Sequence, residues 1–283
     1  MTRRTAWNFI PLAIALAQLA TNQVVAQTPD VQRIRGDASY SYAVFVGTGL
    51  YELDDRLIFV FRIPVSWQLR DLKPDQMGLK LLLPVAIGMQ NFDNLDDVLG
   101  FQLEDIQTIS FVPGVELQFL PLPRWQVKPF MQGGVGWNPD AGAADFIYGL
   151  GARSSYVIPR DNSQIKVGGE YLLAGDKADD GGSSAINRLS LGIEYKHPIR
   201  WSLFNRQTFM HWRLIGYNYI GGLSVKSFPD TESYDIDSEL EIGFALSIDP
   251  ALKILGIPAS HLGLGYRFGE NSRAIVVETT FPF

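Results

Sequence analysis

The last eleven residues, RAIVVETTFPF (Arg273–Phe283), alternate in character: Ile275, Val277, Thr279, Phe281 and Phe283 share one side of an extended chain, and Ala274, Val276, Glu278, Thr280 and Pro282 share the other. Terminal residues of soluble domains have little to pack against and are usually polar and frayed. An apolar face carried to the final carboxylate predicts a last strand that meets lipid, with Glu278 turned to the opposite side.

The same period of two recurs along the chain. Leu57, Phe59, Phe61, Ile63, Val65, Trp67 and Leu69 oppose Arg62, Ser66 and Gln68. Leu189, Leu191, Ile193 and Tyr195 oppose Arg188, Ser190, Gly192, Glu194 and Lys196, and Leu240, Ile242, Phe244, Leu246 and Ile248 oppose Glu239, Glu241, Gly243, Ala245 and Ser247. Twelve such segments are read: 39–48, 56–69, 77–91, 105–119, 125–137, 144–158, 164–174, 186–198, 206–220, 234–249, 259–268 and 273–283. Most reach ten residues, whereas soluble strands average about five or six and tilted membrane strands need about 9–11. Nowhere after residue 27 is there an apolar run long enough for a membrane helix.

A sheet in lipid survives only when closed on itself, because every backbone polar group must pair internally. Apolar residues outside and polar ones inside then give this alternation. The reading is all-β: a transmembrane antiparallel up-and-down β-barrel of about twelve strands. The inward face holds the lumen-lining candidates Arg62, Lys80, Glu116, Lys128, Arg153, Lys166, Glu170, Arg188, Glu194, Lys196, Arg213, Glu239, Glu241, Arg267 and Glu278. Arg267 and Glu278, on neighbouring final strands, are the first expected internal ion pair. Tyr40, Tyr42, Trp67, Trp125, Trp137, Tyr156, Tyr195 and Tyr266 fall on outward faces, as an interfacial aromatic girdle requires.

Bulk properties agree. The 283 residues carry a net charge of −6, which argues against a nucleic-acid partner, and there is no cysteine for a disulfide, a thiol nucleophile or a thiolate metal site. Mean hydropathy is +0.04, between that of a soluble protein and a helical membrane protein. The N-terminus has Arg3 and Arg4, an apolar stretch from Phe9 to Ala20, and Val24-Val25-Ala26. This is the pattern of a secretory signal peptide, residues 1–26, cleaved after Ala26, leaving the barrel as residues 27–283. Connections expected to face outward, such as QNFDNLDDVLGFQLED and GDKADDGGSSA, are longer and more acidic than inward ones such as LPLPRW and IPRDNSQ. One inward stretch, DPALKILGIPAS (residues 249–260), is long enough for a short helical turn at the barrel mouth.

The stretch LSIDPALKILGIPASHLGLGYRFGENSRAIVVETTFPF (Leu246–Phe283), with FVPGVELQFLPLPRWQVKPFMQGGVGW (Phe111–Trp137) upstream, resembles the solitary outer-membrane autotransporter-like β-barrel family. That resemblance implies a twelve-stranded barrel in the outer membrane of a Gram-negative bacterium, without a passenger domain and without assigned catalytic residues. Only residues 27–38 precede the first strand read here. The ending in Phe281 and Phe283 resembles the C-terminal signal by which barrels are recognised for assembly. The partners implied are outer-membrane lipid and lipopolysaccharide, the barrel-assembly machinery, and a small solute if the lumen conducts.

Candidate chemistry is sparse. Of His197, His211 and His261, only His211 falls with a charged residue, Arg213, on one lumenal face, and it is read as filling a polar interior. Asp54-Asp55, Asp93 with Asp96-Asp97, and Asp176 with Asp179-Asp180 lack the spacing of a calcium loop and are read as solvated carboxylates. No catalytic residue, cofactor or metal is expected. The leading reading is a non-enzymatic barrel, either a narrow pore or a structural barrel with a salt-bridged lumen. A lipid-modifying enzyme of the phospholipase or lipid A deacylase type is the alternative.

Overall fold

The computed structural model describes residues 33–34, 43–53, 56–92, 106–139, 143–178, 183–203, 205–226, 233–254 and 257–283. The expected signal segment with Ala26, Tyr40, Tyr42, and the loop residues Asp54, Asp55, Asp93, Asp96, Asp97, Asp179 and Asp180 lie outside them.

The strands are β1 (Arg33–Ile34), β2 (Thr48–Leu53), β3 (Arg56–Arg70), β4 (Gly78–Phe92), β5 (Ile106–Phe111), β6 (Gly114–Leu122), β7 (Trp125–Asn138), β8 (Ala143–Arg160), β9 (Ser163–Ala178), β10 (Ser183–Leu203), β11 (Arg206–Lys226), β12 (Ser233–Ile254), β13 (Ile257–Gly269) and β14 (Ser272–Glu278). From β2 onward the wall strands pair antiparallel with their sequence neighbours, and β14 pairs with β2, so the sheet closes. Strand β1 is a two-residue parallel addition to β11. Strands β5 and β6 lie along the same neighbours, β4 and β7, and share one stave interrupted at Val112-Pro113. Twelve staves therefore form the wall.

The interruption follows from Pro113, which has no N–H to give the ladder. The ladder resumes around it, with Val112 N–H reaching Pro84 O at 3.4 Å and Gly133 N–H reaching Pro113 O at 2.9 Å. At Gly134 a Cβ would stand 2.0 Å from Phe111 O, so only glycine permits this approach.

Exposure follows the period of two. Leu262, Leu191 and Trp67 on the outer face are 62–69% exposed, while Gly263 and Ser190, the next residues along the first two of these strands, are buried. An apolar exterior of this extent on a closed sheet is a lipid-facing surface. Trp137, Tyr156, Tyr195 and Tyr266 are exposed on it, and Trp125, half-buried, donates its indole N–H to Ser154 Oγ at 2.8 Å. The core lies inside the barrel.

Three expectations need correction. The first wall strand, β2, covers Thr48–Leu53 and so takes only the last residue of the 39–48 segment, within which Ala43–Val46 forms a single helical turn. Its Val44 and Phe45 are buried in the interior cluster, so their apolar character serves the core rather than lipid. At the other end β14 stops at Glu278, the chain bends at 279–280, and Phe281 and Phe283 are buried in that same cluster. These rings do not face lipid. Finally, residues 249–260 form no helical turn among the described residues, because β12 runs on to Ile254 and β13 starts at Ile257.

Candidate functional site in the barrel interior

The alternation that puts leucines outside puts charge inside, and charge there must be paired to be tolerated. On one side of the interior a chain of contacts runs across β4, β6, β8, β9 and β10. Lys80 lies 3.9 Å from Glu116, Arg153 Nη1 donates to Glu116 Oε2 at 3.0 Å, and Arg153 Nε donates to Glu170 Oε2 at 2.7 Å. Arg188 Nη2 donates to Glu170 Oε1 at 2.9 Å, and its Nη1 reaches Phe45 O at 3.4 Å. The Arg153 guanidinium also sits 4.1 Å over the Phe130 ring, where a cation is favoured.

On the opposite side Glu241, fully buried, is the hub. Arg267 Nη2 donates to its Oε2 at 2.9 Å, the Tyr217 hydroxyl donates to the same oxygen at 3.0 Å, and Arg213 Nε lies 3.3 Å from its Oε1. Glu239 accepts from the Tyr219 hydroxyl at 2.8 Å and from Ser272 Oγ at 2.7 Å. Arg188 and Arg267 both lie over the Tyr217 ring, at 5.3 and 4.2 Å, which joins the two networks.

The expected Arg267–Glu278 pair does not form. In the β13–β14 ladder Arg267 stands opposite Ala274, whereas Glu278 stands opposite Gly263. Four residues of strand separate them, about 13 Å at 3.3 Å per residue. Arg267 instead stands directly opposite Glu241 in the β12–β13 ladder, and Glu278 contacts Arg213.

The remaining candidates are placed as follows. Arg62 closes the β2–β3 ladder through its backbone, its N–H donating to Thr48 Oγ1 at 2.9 Å and its carbonyl accepting from that hydroxyl at 3.0 Å. Lys128 stands opposite Arg153 in the β7–β8 ladder. Lys196 lies 4.1 Å over the Phe209 ring. Lys166 Nζ donates to Phe283 O at 3.3 Å and lies 5.0 Å over the Phe281 ring.

Two segments outside the wall strands, the Ala43–Val46 turn and the residues after Glu278, also occupy the interior. Inward-facing glycines make the sockets: a Cβ at Gly149 would meet the Phe45 ring at 2.3 Å, and Cβ atoms at Gly168 and Gly192 would each come within 2.7 Å of Phe283. Phe281 and Phe283 pack edge to face, their centroids 5.1 Å apart.

One constellation is not legible in the sequence. His211 Nε2 lies 2.7 Å from Ser247 Oγ, and His211 Nδ1 lies 3.2 Å from Glu194 Oε1, an ion-pair contact without the alignment of a hydrogen bond. The His261 ring meets that of His211 edge-on at 4.7 Å. Alternation alone puts Ser247 on a polar face and names no partner for it. The β11–β12 register sets His211 opposite Ala245 and Phe209 opposite Ser247, so His211 and Ser247 meet on the diagonal. Among the described residues no group of three His, Asp or Glu side chains is arranged to hold a metal ion.

No family model and no curated protein matches the chain. Among solved structures it is similar to the β domain of the Bordetella autotransporter BrkA, at 10% identity and a TM-score of 0.48, over 82% of this chain and 96% of that one. It is similar also to the NanC porin, at 12% identity and a TM-score of 0.40, over 82% and 97% of the two chains. LpxR from Salmonella typhimurium aligns at 11% identity and a TM-score of 0.40, over 81% and 90%. At these values nothing about activity passes from those proteins to this chain. The protein is an integral membrane β-barrel on the evidence of its own closed sheet and apolar exterior.

Proposed function

We propose that the protein is a structural barrel of the outer membrane of a Gram-negative bacterium, its lumen closed to the passage of solutes from one mouth to the other. The observation that carries this reading is the occupation of the interior: two joined ion-pair networks and the buried rings of Phe45 and Phe283 lie inside the barrel. A twelve-stranded barrel is wider than the eight-stranded ones that side chains alone fill. Contributions from outside the wall strands are what such a width requires for closure.

Outer-membrane placement is supported by the lipid-facing exterior, the signal-like N-terminus and the resemblance of Leu246–Phe283 to passenger-less autotransporter-like barrels. Phe281 and Phe283 would act as the assembly signal while the chain is unfolded and become core on folding. The buried, inward position of His211 lends no support to a lipid-modifying enzyme working at the lipid face.

Purified, refolded barrel in planar bilayers tests the closed lumen. Silence at all voltages is the expected result, and unitary conductance steps from folded barrel would overturn it.

A further inference from the structure

We propose that Ser247, His211 and Glu194 form a nucleophilic serine site that takes acyl groups from small esters reaching it from the barrel end that carries the short turns. This goes beyond the structural role and stands on different atoms. The three side chains come from three adjacent strands, β12, β11 and β10, and all face the interior. A serine hydroxyl becomes a nucleophile when an adjacent base can take its proton, and the base is held by a third group. Those are the relationships here: Ser247 Oγ to His211 Nε2 at 2.7 Å, and His211 Nδ1 to Glu194 Oε1 at 3.2 Å.

The surroundings decide what reaches the site. On the side away from the short turns lies the Arg213–Glu241–Arg267 cluster, and Phe283 packs against Gly192, two residues from Glu194. Toward the short turns, His261 is only half-buried, and Gln207 and Asp249 are exposed at the rim. Ser247 itself is 9% exposed, so access is narrow and the acyl group must be short. His261 stands opposite Ser247 in the β12–β13 ladder, and its Nε2 is buried with no hydrogen-bond partner among the described residues. It is the donor at hand for the oxyanion.

In the reaction Ser247 Oγ adds to the ester carbonyl carbon while its proton passes to His211 Nε2. The carbon–oxygen bond to the alcohol then breaks, and the alcohol leaves with that proton. Water, deprotonated by the same nitrogen, adds to the acyl-serine, and its collapse releases the acid and restores the hydroxyl. Glu194 touches no substrate; it is a positioning residue that holds the imidazole and stabilises its protonated form.

The test uses a fluorophosphonate probe on the folded full-length barrel in detergent. Phosphorus bonds to Ser247 Oγ, fluoride leaves, and peptide mapping locates the adduct. The result expected is a single adduct at Ser247, absent from unfolded protein and from Ser247→Ala, slowed at least about 100-fold in His211→Gln. Glu194→Gln should shift the pH dependence of labelling while leaving Ser247 the site. No adduct on folded wild-type barrel, or an adduct on other hydroxyls, would overturn the proposal even if the histidine variant failed to fold. Equal labelling of a folded His211→Gln barrel would overturn it too. Hydrolysis of p-nitrophenyl acetate that tracks the label reads the turnover step. Conductance is a separate readout, so failure here leaves the closed-lumen reading intact.

Discussion

Phe283 occupies the space that a side chain at Gly168 would need, since a Cβ built at Gly168 stands 2.7 Å from the Cβ of Phe283. Gly168→Val should therefore displace the tail without touching the lipid face. Overpacking of this kind costs about 1–3 kcal/mol. The temperature at which the barrel loses its compact mobility on a gel should fall, whereas Gly216→Ala, where nothing lies within 4 Å, should leave it unchanged.

Deleting Phe283 separates address from packing. Loss of a buried ring costs about 3–5 kcal/mol, so the refolded deletion variant should be destabilised in detergent about as much as other core truncations. In cells it should also insert poorly if the terminal ring is an assembly signal. Gly168→Val, with the ring retained, should insert at the wild-type level. Equal insertion of both variants, measured in isolated outer membranes, would remove the address role.

Glu241 holds Arg213, Arg267 and the Tyr217 hydroxyl. Removing one partner from a buried network strands the others, at about 3–5 kcal/mol. Urea unfolding in detergent should show a loss of that size for Glu241→Ala. Tyr217→Phe, which loses one hydroxyl with two partners, should cost about 1–3 kcal/mol. Glu270→Ala, at an exposed turn, should stay within about 0.5 kcal/mol.

The inward and outward faces of the strands are legible because side chains alternate with a strict period of two, and parity alone assigns Arg153, Glu170, Arg188 and Glu241 to the interior. Register is not legible, since it depends on turn lengths and bulges that alternation does not encode. Hence the sequence pairs Arg267 with Glu278 where the structure pairs it with Glu241. It also gives no sign that Ser247 meets His211, across a ladder whose register shifts between Asn218 and Leu223. The chain ends mislead for a different reason. An apolar run at a terminus looks the same whether it meets lipid or folds into a lumen. The signal that distinguishes them sits elsewhere in the chain, in the inward glycines Gly149, Gly168 and Gly192, which leave sockets for Phe45 and Phe283.

The proposed closure of the lumen depends on the tail lying inside the barrel, and the absence of native cysteines makes a direct measurement clean. In a Gly168→Cys, Phe283→Cys double variant the two Cβ atoms start within reach of a disulfide, whose Cβ–Cβ separation is about 3.5–4.5 Å. Mild oxidation of the folded barrel in membranes should join them into one intramolecular crosslink, with a shifted mobility that reductant reverses. A contradicting result would be a folded barrel that forms no crosslink, and in which the Phe283→Cys thiol reacts with a lipid-soluble maleimide as fast as the thiol of an Ile275→Cys variant.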